Sequence, residues 1–367
     1  MQSVHRQAWA NPSSLHGLGL QAAEQLERCR CQVAELLGAD AEEVVFSSGG
    51  SESIHLALLG AAAPLPPGRI LISAVEHPAT LAAVAQLQQR GWHVHTLPVD
   101  RSGCLDLNAL DALLKPPTRL LSLIWGQSEV GTLQAVEAIG QRCRQAGVLL
   151  HLDAVQVLGH QLLRFQQLPV DLLSFTAHKL QGPRGVGGLL VRQGLNLAPL
   201  IGGGGQERGR RGGTEPVALV AGLTTALAEA HARLQATGGI DPLHRLRDQL
   251  LAELMQLDQV ELSGPDPRQG EARLPHHVSL LVRDRRGVPL AGRQLVKALW
   301  REGVAASSGS ACSSSGASAA SPVLLAMGYD RATAGSGLRF SLGPWLCAED
   351  LQRVPDALQR ARSSLKA

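Results

Sequence analysis

The chain has 367 residues, 44% of them apolar, and a formal net charge of +3. That length suits two or three domains with sizeable cores, and interspersed charges without a basic, aromatic module exclude nucleic acid as the default partner. No apolar run reaches the roughly eighteen residues of a membrane span and no hydrophobic segment opens the chain, so a cytoplasmic protein off the membrane is expected.

Six cysteines are too few for a disulfide framework in a chain this long, and none has zinc-ligand spacing, so no metal is expected. Residues 11–16 (Asn-Pro-Ser-Ser-Leu-His) read as a turn, and a helix with charges on one side is predicted over 21–37. A short strand, Val44-Val45-Phe46, runs into Ser47-Ser48-Gly49-Gly50-Ser51-Glu52-Ser53, followed by a predicted helix over 54–62. Free N–H groups at a helix start, the Ser51 hydroxyl and glycines that allow close approach make this a candidate phosphate cradle; a capping box from Ser51 is the structural alternative. Predicted strands at 69–73, 92–98, 119–125 and 148–153 alternate with helices at 79–90, 107–114 and 136–146, the pattern of a mostly parallel sheet between helices. A further strand at 185–191 should turn back.

Residues 201–214 form a glycine and arginine loop in which Arg208, Arg210, Arg211 and Thr214 suit an anion contact at an interface. Helical residues 217–257, broken near 238–242, should join a large domain (1–238) to a smaller one (239–367). The smaller domain is predicted to hold strands at 260–263, 277–282 and 338–342 and a helix at 291–302. An amphipathic helix from 348, kinked or restarted at Pro355, closes the chain. Residues 304–321, almost wholly Ala, Ser and Gly around Cys312, have little to bury, which predicts mobility unless the segment is docked.

Two stretches carry chemistry. His151-Leu152-Asp153-Ala154-Val155-Gln156 and Ser174-Phe175-Thr176-Ala177-His178-Lys179 both start as apolar strands and turn polar where a buried parallel strand would emerge, the edge at which open α/β sheets bind ligands. A pyridoxal phosphate site needs such a pair: the lysine forms the Schiff base and the acid keeps the pyridine nitrogen protonated. Lys179 is one of four lysines against thirty arginines, and only an amine whose pKa falls readily serves as nucleophile and base. In isolation the pair reads more readily as a surface lysine and a loop aspartate; its neighbours reverse that and favour the cofactor.

Those neighbours are Asn11-Pro12-Ser13-Ser14, residues 48–53, Glu76-His77, residues 204–214, Ser307-Ser308-Gly309-Ser310-Ala311-Cys312 and Arg339-Phe340-Ser341-Leu342-Gly343. With them, in this order, the chain resembles the cysteine desulfurases of the fold-type-I, class V aminotransferase superfamily, in the group with a long active-site loop, over nearly its whole length. The resemblance implies an α/β fold-type-I PLP-dependent transferase: a large domain with a mostly parallel seven-stranded sheet between helices, and a smaller α+β C-terminal domain carrying the active-site cysteine. It implies that Lys179 holds pyridoxal 5'-phosphate, Asp153 pairs with the ring nitrogen, Gln156 and residue 128 reach the ring hydroxyl, and His77 stacks on the ring and carries a proton. Gly50, Ser51, Thr176 and His178 would bind the phosphate, with Thr214 reaching it from the partner of a homodimer. Arg339, with Asn11 and Ser128, would take the substrate carboxylate, and Cys312 would receive the sulfur of L-cysteine as a persulfide, leaving L-alanine. The sulfur would pass to an iron–sulfur scaffold or a thiolation protein. Selenocysteine lyase, another class V lyase or transaminase, and a weakly active desulfurase-like scaffold are the alternatives.

Three departures stand out. A strand-forming segment usually precedes the Asn-Pro-Ser-Ser turn; Met1 lies only ten residues before Asn11, so that segment is expected to be missing. Gln127-Ser128-Glu129-Val130-Gly131 stands where the family typically has Asn-Asn-Glu-x-Gly, so weaker substrate binding or an altered preference is expected. Ser51 replaces the usual threonine and keeps its hydroxyl.

Overall fold

The computed structural model describes residues 1–309 and 320–365. They fall into two compact units. The first comprises 1–97, 107–125 and 135–239; the second comprises 98–106, 126–134 and 240–367, of which 310–319, holding Cys312, and 366–367 lie outside the described residues.

Seven strands build the sheet of the first unit: β1 (Val44–Ser47), β2 (Arg69–Ser73), β3 (His93–Leu97), β4 (Thr118–Ile124), β5 (Leu149–Asp153), β6 (Leu172–Thr176) and β7 (Gly187–Val191). Their order is β1-β7-β6-β5-β4-β2-β3, parallel from β6 through β3, with β7 antiparallel to both β6 and β1. The apolar runs of β4, β5 and β6 are buried along almost every residue, as expected of parallel strands covered on both faces. Ile54, Leu58, Ile70, Ile72, Val84 and Leu120 form one core cluster, and Val45, Leu56, Leu172 and Leu189 belong to another. β5 and β6 lie side by side with Asp153 opposite Ser174, so their C-terminal ends finish at one edge.

Two starts differ from the sequence expectation. The first long helix begins at Gly17, where the His16 side chain caps it by accepting from the Gly19 N–H at 3.2 Å. The helix after β1 begins at Gly50 rather than 54 and has no side-chain N-cap; instead the Ser48 N–H donates to Glu52 Oε2 at 2.8 Å. A short helix, Gln2–Gln7, also occupies the amino end.

The second unit has a three-stranded antiparallel sheet in the order β10 (Gly337–Ser341), β9 (His277–Val282), β8 (Val260–Leu262). Helices Leu243–Leu254, Gly292–Arg301 and Val354–Ser364 cover it around a core that includes Leu250, Leu254, Leu280, Leu295 and Leu358. Pro355 sits in the first turn of the last helix, where its missing N–H costs nothing.

Candidate active site

In the first unit, chain direction brings Asp153, at the end of β5, and Lys179, in the short 3-10 turn Ala177–Leu180 after β6, to the same sheet edge. Asp153 is 4% exposed, and its Oδ1 accepts from the Val155 N–H at 3.0 Å. Burial pushes its carboxyl up to about 6, against the opposing pull of that bond and of the Lys179 charge. Lys179 is itself exposed in the single chain, and it borders a cleft lined also by His160, Gln181, Glu229 and Arg233, which Asp153 does not line. Its charge nonetheless reaches Asp153, His77 and His178. Gln156 lies in the turn three residues beyond Asp153.

His77 caps helix Pro78–Gln89, its Nδ1 accepting from the Ala79 N–H at 3.1 Å. That bond leaves the ring proton of the neutral form on Nε2. Burial, then the Lys179 charge, hold His77 below the ordinary histidine range, so the ring is neutral near pH 7.

Glycine shapes the turn after β1. A Cβ on Gly50 would lie 2.9 Å from Val155 Cγ2, so any side chain there would force Val155, in the turn that follows Asp153, to shift. The Thr176 hydroxyl lies 3.0 Å from His178 Nδ1 and 3.3 Å from the Val186 carbonyl, to which it donates. Ser51 is exposed. The arginines of 201–214 are engaged within the chain: Arg211 pairs with Glu52 at 2.8 Å, Arg210 donates to the Glu42 carbonyl at 2.8 Å and Arg208 to that of Ala41 at 3.3 Å. Buried Glu207 anchors the loop, accepting from Arg30 at 2.7 and 2.8 Å and from the Phe46 N–H at 2.8 Å. Thr214 is exposed beyond these ties, and Asn11, also exposed, uses its Oδ1 to accept from the Ser13 N–H at 2.9 Å.

Two buried groups in this unit carry no role in the sequence reading. Glu76 Oε1 accepts from Ser73 Oγ at 2.5 Å and from the Ile124 N–H at 2.9 Å, while Oε2 has no partner among the described residues. Burial, and to a lesser degree the Asp153 charge, push Glu76 up to about 8, so it is a neutral acid near pH 7. His151 lies between Ser122 Oγ and Ser174 Oγ, 2.8 Å from each, and burial takes it down to about 3. Its neutral ring ties β4, β5 and β6 together two residues before Asp153.

In the second unit, Arg339 on β10 donates from Nη1 to the Ser128 carbonyl at 2.7 Å. His277 Nε2 lies 3.1 Å from the same oxygen, and its Nδ1 faces the Arg273 guanidinium at 3.4 Å. A guanidinium only donates, so Nδ1 is the acceptor and Nε2 carries the proton. Arg273 is locked by the carbonyls of His277, Ser263 and Pro265 and by the Ser279 hydroxyl. Gly131 has φ +79°, and a Cβ there would meet His277 Nδ1 at 2.7 Å, so both conformation and space demand glycine. Gln127 Oε1 accepts from the N–H groups of Glu129 and Val130 and shapes the turn around Ser128.

Comparison with known proteins follows the same lines. The aminotransferase class-V family matches residues 1–354. The chain is 35% identical over its whole length to a protein named cysteine desulfurase IscS from Dictyoglomus turgidum, covering 91% of it. It is 39% identical over 98% of its length to a cysteine desulfurase from Cereibacter sphaeroides, covering 90% of that protein. Among solved structures, a NifS-like protein superposes with a TM-score of 0.87 at 32% identity, with 99% of this chain and 93% of that one covered. The chain belongs to the class-V aminotransferase family.

Proposed function

We infer that this protein is a pyridoxal-phosphate-dependent cysteine desulfurase, converting L-cysteine to L-alanine while the sulfur passes to a cysteine of the enzyme. The observation that carries the reading is a buried carboxyl, Asp153, at the end of a central parallel strand and within reach of the Lys179 charge. Two further observations support the fit to the cofactor: a glycine at 50 where any Cβ would press on the Val155 side chain, and a half-buried, neutral His77 ring that can lie against an aromatic face. The relatives named above are cysteine desulfurases, and a solved structure titled SspA in complex with cysteine superposes with a TM-score of 0.79 at 28% identity.

When bound, pyridoxal phosphate supplies an electron sink at the substrate α-carbon. Lys179 binds the cofactor and moves the α-proton of cysteine, since an amine is the one basic group here that can do both. Asp153, ionised beside a cation, stabilises positive charge on the ring nitrogen. Gly50, Ser51, Thr176 and His178 hold the phosphate, Gln156 and Ser128 serve the ring hydroxyl, and His77 delivers a proton from Nε2. Arg339, with Ser128 and Asn11, takes the substrate carboxylate, for which a planar fork outperforms a point charge. The Cys312 thiolate attacks the substrate sulfur: a new S–S bond forms, the Cβ–S bond breaks, and its electron pair takes up a proton on the way to alanine.

Residues 1–238 act as the cofactor-binding domain and 239–367 as the domain bearing the thiol. The enzyme works as a homodimer in the cytoplasm, with Thr214 serving the partner's site, and an iron–sulfur scaffold or thiolation protein takes the sulfur. No helix among the described residues is long and apolar enough to cross a membrane. The test is to incubate the purified protein with cysteine and measure alanine and a persulfide on Cys312. Lys179→Ala should abolish both and Cys312→Ser the persulfide; alanine formed equally well without Cys312 would remove that residue from the reaction.

A further inference from the structure

Glu129 is buried in the second unit, and nothing in the reaction just described uses it. Its carboxyl meets three things. The Ser321 hydroxyl bonds to it. Gly309 packs so closely on it that a Cβ there would overlap the carboxylate outright. The Arg339 charge reaches it. Because Oε1 has no hydrogen-bond partner among the described residues, the Ser321 bond falls on Oε2 and the orphaned oxygen is the one against Gly309. Residues 309 and 321 flank the segment that contains Cys312. Just before it, Ser307 pairs with Arg339 through both backbone bonds, at 2.9 and 2.6 Å.

Burying a carboxyl with one oxygen that no described residue satisfies is costly, and an apolar side chain of similar volume would fill the space without that penalty. A group that carries the cost has to hold something that a hydrocarbon cannot. Here the held groups are Ser321, on one flank of the segment, and the guanidinium read as the carboxylate clamp, while Gly309 on the other flank packs against the carboxyl.

We propose that Glu129 is a positioning residue that ties both flanks of the Cys312 segment to Arg339, giving the thiol and the substrate carboxylate one common reference point. The proposal rests on the roles assigned above to Arg339 and Cys312. It assigns Glu129 two separable tasks: the hydrogen bond to Ser321 serves the thiol-bearing segment, and the negative charge orients the guanidinium. An amide in its place keeps the first and loses the second.

The experiment uses cofactor-loaded wild type, Glu129→Ala and Glu129→Gln, with L-alanine as a carboxylate probe that has no sulfur. Its affinity is read from the change in the cofactor's visible absorbance, persulfide on Cys312 is followed by mass in a single turnover with cysteine, and melting temperature and cofactor content are recorded for each protein. Glu129→Ala should bind L-alanine about ten-fold more weakly and form persulfide about a hundred-fold more slowly, with cofactor content unchanged. Glu129→Gln should keep the weakened L-alanine binding yet form persulfide within about three-fold of wild type. Values in both variants within about two-fold of wild type, or losses that only follow the fraction of folded protein, would overturn the proposal. Wild type that makes neither alanine nor persulfide would instead overturn the desulfurase reading, and this proposal with it.

Discussion

Arg339 and His277 share one acceptor: the carbonyl of Ser128 lies 2.7 Å from Arg339 Nη1 and 3.1 Å from His277 Nε2. The oxygen thereby fixes the guanidinium, and the histidine fixes the oxygen. His277 is fully buried and held well below its ordinary range, first by burial and then by the charges of Arg273 and Arg339, so it stays a neutral donor.

His277→Ala should therefore loosen the clamp. We expect the KM for cysteine to rise about ten-fold with a smaller change in kcat, and stability to fall by about 1–3 kcal/mol because Ser128 and Arg273 lose a buried partner. Steady-state kinetics and thermal melting check this. An unchanged KM in a folded variant would detach His277 from substrate binding.

Residue 128 gives a gain-of-function test. The clamp uses the backbone carbonyl of Ser128 rather than its side chain, so Ser128→Asn leaves Arg339 held while adding an amide. Cysteine kcat/KM should increase by about three- to ten-fold, the worth of about one hydrogen bond. Selenide release from selenocysteine, measured in parallel, shows whether the serine sets preference or merely weakens binding.

How far the sequence reached can be judged from particular residues. Strands such as β6 (Leu172–Thr176) were legible because burial on both faces demands a continuous apolar run. A break at Pro355 was legible because proline lacks an N–H, though whether it kinks or restarts the helix was not. The helix start at Gly17 was not, since glycine signals a break; here close packing of Gly19 on Asn11 and Ser14, where a Cβ would meet the Ser14 carbonyl oxygen, overrides propensity. Lys179 and Asp153 stand out because each follows an apolar run. His277 and Glu129 carried no such signal: one contacts a residue 149 positions away and the other two flanks of a distant segment, and no local pattern encodes that. Arg208, Arg210 and Arg211 read as anion ligands because their acceptors, Ala41, Glu42 and Glu52, are as remote in the chain.

Glu76 makes a prediction about pH. Its carboxyl titrates near 4.5 when exposed and about 8 in the fold. The folded state therefore holds more protons than the unfolded state between those values, and stability falls as pH rises through that window. In the cofactor-free protein, Glu76→Gln should remove this decline and be the more stable form above pH 8, by on the order of 5 kcal/mol. Urea unfolding of both proteins from pH 5 to 9 measures it, and parallel pH profiles would mean that Glu76 is ionised throughout.

The shared-site reading makes the sharpest demand on Thr214. Glu207, Arg210 and Arg211 bind the loop to its own chain, while Thr214 stays exposed, which is the arrangement needed to present a hydroxyl to a second subunit. If Thr214 serves the partner's cofactor, Lys179→Ala on one chain and Thr214→Ala on the other damage the same site of a mixed dimer. Lys179→Ala chains carry an intact Thr214, and Thr214→Ala chains carry an intact Lys179, so each mixed dimer contains one complete site and one doubly defective one. Co-refolding equal amounts makes about half the dimers mixed, so activity should recover to about one quarter of wild type, well above the average of the two pure variants. Were Thr214 to serve its own chain instead, mixing would leave activity at that average, because neither half of the mixed dimer would then gain what it lacks.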